Sequence, residues 1–432
     1  MRLDILIRFI IGMVFVQGML GYLGVPSFYY RAVIEISILL LFINAVYSKT
    51  NSLKIPGILW FLIFSVVVLS STYLNNSDWY ITLLMYRQIL WPYLFFVCVL
   101  NLNISTISLH KINKFIVAFV LIQIPAAIYK YGMYGVREGE LIGTFDLHAG
   151  SMSTVFPLFI IVYLVAFYFI YKNNNLFLWL VPAFMFFAWG GGKRAFFIIL
   201  PLLLIIAFIV YYKTIHIYRI KNLKLSLILA IIAIMIGATI YIGGKYHPRF
   251  NPEQDYGGSF DLSFIISTIL EYETRVGQDH VKLGRYNTFQ SAIFQIWEGD
   301  LQKKLFGDGP DRLYTTSDRG DSRDEYGIGY GITGFVFHII SIGILGTLSF
   351  LLLFLYMGII AYKSISIIKD PFYKAIGFGT VLATSIFFID YLSYSTAFIT
   401  AYMPSVLYFY IIGILIKQKY YFLKINKTTK IK

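Results

Sequence analysis

Several charged side chains stand where an apolar sequence has no structural need of them. "WGGGKRAFF" (Trp189–Phe197) places Lys193 and Arg194 after three glycines and directly before an apolar run. Glycine lets a backbone turn tightly and approach a ligand. Arg194 opens the following run, where the free amides of a helix start favour anions. "GRYNTFQSAIFQI" carries Arg285, "LFGDGPDRL" carries Arg312, and "YGMYGVREGELIGTFDLHAGS" carries Arg137, Asp146 and His148. His338 in "FHIISIGILG" and Arg87 in "LMYRQILWPY" lie inside apolar runs, and an ionisable residue within a span is a functional candidate by default. Arginine's planar fork pairs bidentately with phosphate oxygens. Arginines, carboxylates and tyrosines together suit a ligand bearing both sugar hydroxyls and phosphates.

The elements that must position these residues are membrane spans. Of 432 residues, 58% are apolar and only 13% charged, where soluble domains carry about a quarter. A mean hydropathy of +0.71 fits an all-α polytopic membrane protein. The lone Cys98 excludes a disulfide framework and a cysteine-based metal site. The N-terminal run shows no small-residue cleavage pattern and reads as an uncleaved first span. Twelve candidate transmembrane helices follow from runs of about 20 apolar residues: 5–24, 31–47, 55–73, 80–100, 112–131, 151–171, 175–190, 194–212, 224–243, 331–361, 372–391 and 397–416. The organisation is therefore a bundle over 1–243, a large external loop over 244–330, three further spans over 331–416 and a basic tail over 417–432.

With both termini cytoplasmic, more than half of the 36 Lys and Arg fall in cytoplasmic segments, opposed there only by Asp4 and Asp370. That is the positive-inside pattern, so the net charge of +14 is a topology signal and not one for nucleic acid. The same layout puts Lys193 and Arg194 outside, against the trend, as it does the 132–150 turn. Arg31 and Glu35, four apart on one helix face, are expected to pair with each other.

The long loop is not a linker. Residues 260–276 space Phe260, Phe264, Ile265, Ile269 and Tyr272 near helical periodicity, and 287–305 do so with Phe289, Ile293, Ile296 and Trp297. Two amphipathic helices are expected there, the second with Asn287 and Gln290 as a capping pair. "SDRGDSRDE" alternates acids and arginines in a spacing that matches no EF-hand loop, and reads as a solvated segment.

Taken in order, "REGELIGTFDLHAGSMST", "GGGKRAFFIILPLLLI", "GRYNTFQSAIFQI" with "LFGDGPDRL" after it, and "FHIISIGILG" resemble the O-antigen polymerase and O-antigen ligase superfamily of lipid-linked glycan transferases. Lys193 departs from the pattern, which carries serine before the turn arginine. The resemblance implies a GT-C-like bundle in the bacterial cytoplasmic (inner) membrane, acting on its external face. A glycan on undecaprenyl diphosphate would be transferred with inversion to an acceptor sugar hydroxyl, in O-antigen or capsule synthesis. On that reading Arg194 and Arg285 clamp the diphosphate and His338 is the base. Arg137, Lys193, Arg87, His148 and Arg312 contact substrate, with no cofactor and no metal. Partners are the lipid-linked donor and acceptor, membrane lipid and a chain-length regulator, with no nucleic acid. Polymerase is the first expectation, ligase the second, and a flippase the reading from outside the enzymes.

Overall fold

The structure, a computed structural model, describes residues 3–47, 53–134, 142–145, 150–171, 176–191, 193–215, 237, 240–246, 250–255, 257–274, 284–313 and 332–429. All regular structure among the described residues is helical: α1 (Leu3–Tyr22), α2 (Ser27–Tyr47), α3 (Ile58–Leu74), α4 (Trp79–Asn101), α5 (Thr106–Tyr134), α6 (Met152–Tyr171), α7 (Leu176–Gly190), α8 (Arg194–Ile215), α9 (Leu262–Thr274), α10 (Arg285–Glu298), α11 (Leu301–Phe306), α12 (Gly334–Ile367), α13 (Pro371–Ile389), a π-helical turn (Asp390–Tyr394), α14 (Ala397–Thr400) and α15 (Tyr402–Thr429). Nine helices among the described residues are long and apolar enough to cross a membrane, and α3 and α7 are shorter apolar helices. They fall at eleven of the twelve expected spans; the remaining one, 224–243, lies outside the described residues except for 237 and 240–243. The protein is an all-α polytopic membrane protein.

Its surface is apolar as well as its core. On α8, Ile198, Leu202, Ile205 and Ile209 are exposed at helical spacing, while Phe196, Leu200, Leu203 and Ala207 are buried. A helix apolar all round is a membrane span or the core of a large protein, and the exposed stripe selects the first. Helix starts are capped where they meet polar turns. Asp78 accepts from the amide of Tyr80 at the start of α4, and Asp370 accepts from those of Phe372 and Tyr373 at the start of α13.

The bundle has two unlike ends. At one, Asn101 and Lys54 exchange hydrogen bonds (3.0 and 2.8 Å), Lys417 donates to the Leu102 carbonyl at 2.5 Å, and the Lys54 ammonium lies 3.9 Å from the Tyr420 ring centroid. The last span does not stop at 416: α15 stays helical through the basic tail to Thr429. At the other end lie the turn 75–78, residues 142–145 and 150–151, residues 191 and 193, the loop helices and the π-turn.

α12 is broken. Gly343 takes φ +64, ψ −168 inside the span, a conformation only glycine adopts cheaply. The break frees the Ile340 and Ser341 carbonyls, and buried carbonyls need partners. Asp308 N donates to Ile340 O (2.7 Å), while Gly309 N and Ser71 Oγ donate to Ser341 O (3.1 and 2.9 Å). Asn75 Nδ2 donates to Gly307 O at 3.1 Å, and Asp78 N to Asp311 Oδ2 at 3.1 Å. The "GDGPD" turn thus plugs into the broken span and ties the large loop to α3 and α4. Irregular backbone at membrane depth persists only where protein satisfies it.

The loop helices occur where expected, with two corrections. The second does not run through 287–305. It breaks at Gly299 and restarts as α11, capped by Asp300 (Lys303 N to Oδ1, 2.8 Å). Asn287 and Gln290 are not a capping pair, because α10 begins at Arg285. Asn287 Nδ2 donates to the Thr274 carbonyl (2.8 Å) and Gln290 Nε2 to the Tyr286 hydroxyl. α10 buries Thr288, Ala292 and Ile296 and leaves Trp297 and Phe294 exposed. Ala292 and Ile296 pack with Leu313, Val336, Ile339 and Ile340, so α10 lies on the outer half of α12.

Candidate functional site

Five segments meet at the loop end of the bundle, and the π-turn is their hub. Tyr394 in that turn has its hydroxyl 3.0 Å from Thr154 Oγ1 in the first turn of α6. The Arg285 guanidinium, at the start of α10, lies 4.8 Å from the centroid of the Tyr394 ring. Gly334 N, opening α12, donates to the Ser395 carbonyl at 3.1 Å. The α7–α8 turn packs beside the start of α6. A side chain at Gly191 would put its Cβ 2.9 Å from Ser153 Cβ and 2.8 Å from the Phe187 carbonyl, so only glycine fits. Lys193 Nζ lies 3.7 Å from where a Cβ on Gly150 would stand. The "GGGKR" turn, the α6 start, the loop arginine and the α12 start are therefore neighbours, although Gly150 and Gly334 are 184 positions apart in the sequence.

The cluster's carboxylate is Asp390, 2% exposed. Its Oδ1 accepts from Ser395 Oγ, and its Oδ2 accepts from Phe398 N at 3.2 Å. Ser395 N closes back onto the Asp390 carbonyl at 2.8 Å. The Arg285 charge acts on this carboxylate. One residue on, the Tyr391 hydroxyl pairs with His338 Nδ1 at 2.9 Å. A π-turn re-aims consecutive side chains that an α-helix would spread around its axis. Here it sends Asp390 and Tyr391 into the protein and Tyr394 toward Arg285.

His338 stands one turn into α12, which opens at Gly334; four residues rise about 6 Å. Its side chain is fully enclosed, at 0% exposure. The Phe350 ring centroid is 4.7 Å away, those of Phe337 and Tyr391 5.6 Å, and that of Phe64 6.0 Å. Its Nε2 makes no hydrogen bond among the described residues. A base must come within hydrogen-bond reach of the proton it takes, and in this structure four aromatic rings pack around the imidazole.

The other expected residues divide. Arg194 supplies the first residue of α8, beside the glycine turn; its side chain is not among those described. Arg137 and His148 lie outside the described residues, as does "SDRGDSRDE". Arg312 is exposed in the turn after "GDGP", its amide donating to the Gly309 carbonyl. Arg87 does not belong to the cluster. Its Nη2 and Nε reach Glu35 Oε1 at 2.7 and 2.9 Å, and the Tyr402 hydroxyl donates to the same oxygen at 2.5 Å. Glu35 thus pairs across helices with Arg87 and not along α2 with Arg31. The expected i, i+4 pair loses because α4 packs on α2 and brings two Arg87 N–H donors to Glu35 Oε1, which also accepts from Tyr402 of α15. Arg31 instead lies 5.8 Å over the Tyr402 ring.

Sequence reading missed Asp390, Tyr391, Tyr394 and Thr154. Asp390 had a signal, a lone carboxylate in the apolar "FFIDYL". The tyrosines and the threonine had none, since both types are common in spans and only the π-turn selects them.

A half-open cavity of about 490 Å³ lies among α5, α6, α7, α13 and α15. Ile116, Val120, Phe159, Leu164, Leu180 and Ile411 are among its apolar lining. Its nearest point on α6, Phe159, is five residues from Thr154, about 8 Å along the helix. Among the described residues no group of His, Cys, Asp and Glu is arranged to hold a metal ion. No protein-family model matches the chain, and no curated protein matches it in sequence.

Proposed function

We propose that the protein is a glycosyltransferase of the cytoplasmic membrane of a bacterium. It would polymerise lipid-linked oligosaccharide repeat units on the external face, in O-antigen or capsule synthesis. The observation that carries the reading is the meeting of Arg285, Tyr394, Asp390 and the Lys193 turn at one end of an apolar bundle. The ordered sequence resemblance supplies the reaction class.

In that reaction an acceptor hydroxyl oxygen bonds to the anomeric carbon as the bond from that carbon to the diphosphate oxygen breaks. The electron pair leaves on the diphosphate and the hydroxyl proton passes to water. The leaving group is good, so the main demand is stabilisation of its growing charge, which fixed cations meet in a site shielded from water. Arg285 is fixed by stacking on Tyr394, and Lys193 by the turn against α6. Arg194 follows at the N-terminus of α8, where helix amides add to the field. Asp390 serves as counter-charge to Arg285 while both its oxygens hold the π-turn. His338 enters as a positioning residue that holds Tyr391, since its side chain is buried and its Nδ1 pairs with that hydroxyl. The apolar cavity offers room for part of an isoprenoid tail.

The test is deletion of the gene in its own organism, followed by gel analysis of surface glycan. Loss of the ladder with a single repeat still attached is the expected result. Loss of all attached glycan would make the protein a ligase, and accumulation of substrate in the inner leaflet would overturn the transferase reading altogether.

A further inference from the structure

The loop helix α10 has two apolar faces. On one, Ala292 and Ile296 are buried against Val336, Ile339 and Ile340 of α12. On the other, Tyr286, Ile293, Phe294 and Trp297 are exposed, Trp297 at 73%. Gln290, which lies within this second stripe, donates its Nε2 to the Tyr286 hydroxyl at 2.8 Å. A contiguous exposed apolar face marks an interaction surface. The bend in α12 sets the depth at which that surface lies. His338 and Phe350 are twelve positions apart, about 18 Å along an unbroken helix, yet their ring centroids are 4.7 Å apart. The segment before Gly343 is therefore folded back on the one after it. It descends along α3. Ser341 O accepts from Ser71 Oγ, while His338 lies 6.0 Å from Phe64, about 10 Å further into the span.

α10 climbs beside this folded-back segment. It opens with Arg285 at the Tyr394 ring, and Phe289 packs on Phe335 with centroids 5.1 Å apart. It gives way to α11, where Gln302 Nε2 donates at 3.4 Å to the carbonyl of Leu74, the last residue of α3. With 17 residues, α3 rises about 26 Å, less than the ~30 Å of a hydrocarbon core. With Lys54 held at one interface, Leu74 reaches no further than the edge of the core on the loop side, and α10 lies below that edge. We infer that α10 is a re-entrant element seated in the loop-side leaflet, with Tyr286, Ile293, Phe294 and Trp297 covered by lipid acyl chains. A helix satisfies its own backbone there. The Lys304 ammonium, 5.7 Å over the Trp297 ring, joins a cation to an aromatic at headgroup level, where both are favoured. None of this rests on the glycan-transfer reading: Arg285 takes no part in the exposed face, and the test reads no activity.

The experiment is spin labelling of the full chain reconstituted in bilayers of phosphatidylcholine and phosphatidylglycerol. Cys98 is buried, so the wild type serves as the unlabelled control. Nitroxides on Ile293→Cys and Trp297→Cys should collide more with oxygen, which concentrates in hydrocarbon, than with a water-soluble nickel chelate. The ratio should reverse at Arg312→Cys, exposed in the turn beyond, and Ala292→Cys on the buried face should meet little of either. A second reading needs no label, in case the cysteine variants fail to fold. The tryptophan emission that Trp297→Phe removes should be quenched by lipids brominated on the acyl chain and spared by aqueous iodide. Nickel contact exceeding oxygen contact at 293 and 297, or quenching by iodide in place of bromolipid, would put this face in water and overturn the inference. Low contact with both reagents at 293 and 297 would mean that a protein partner or a second copy covers the face, and would overturn it as well.

Discussion

Arg285 holds its guanidinium against the Tyr394 ring and its charge acts on Asp390, so both the planarity and the charge of the side chain are used. Lysine keeps only the charge. Arg285→Lys is therefore expected to lower glycan transfer by about 10²- to 10³-fold, the cost of one fixed oxyanion donor, with normal membrane levels; transfer within tenfold of wild type would remove Arg285 from the site. His338 makes the opposite case. If it positions Tyr391, His338→Gln keeps a hydrogen bond to the tyrosine. The variant should lose less than about tenfold, well short of the 10²- to 10⁴-fold that a base supplies, and keep the wild-type pH–rate profile. A larger loss with a displaced profile would restore it as the base. Arg285 and Lys193 were legible because a cation in an apolar chain, beside glycine or at a helix start, stands out. Glu35 was misassigned because spacing along one helix says nothing about which arginine a neighbouring helix presents.

Among the elements, the broken α12 and the "GDGPD" plug depend on each other. Gly343 and Gly307 both take positive φ, and a Cβ on Gly343 would meet the Leu305 backbone at 2.5 Å and Gly307 N at 2.6 Å. Gly343→Ala should unseat the plug, at a cost of about 1–3 kcal/mol for the forced conformation alone. It should lower the melting temperature and quicken proteolysis within 284–313; wild-type protection would show the plug to be dispensable. The α2–α4 tie is a second such test. Removing one partner of a fully buried pair costs about 3–5 kcal/mol. The side chains here are 19% and 14% exposed, so Glu35→Gln should cost less, about 2 kcal/mol, and Glu35→Gln with Arg87→Gln should recover part of it. A Glu35→Gln variant as stable as the wild type would mean the pair contributes nothing. The spans and loop helices were legible from apolar runs and periodicity. The π-turn and the break were not, since "FFIDYLSYS" and "SIGILG" read equally well as continuous helix until tertiary partners take up the freed backbone groups.

For the whole molecule, the account needs the Arg285 end outside and the Lys54–Lys417 end in the cytoplasm. Cys98 is buried, so single added cysteines report cleanly. An impermeant thiol reagent on intact cells should label a cysteine at Arg312 and spare one at Lys54; the reverse pattern would put the site on the wrong face. The most direct test of the central claim is reconstitution. Purified protein in bilayers, given an undecaprenyl-diphosphate-linked repeat unit, should release undecaprenyl diphosphate in step with a growing glycan ladder, and Arg285→Ala should abolish both. Intact substrate after prolonged incubation with the wild type, or an undiminished ladder with Arg285→Ala, would contradict it.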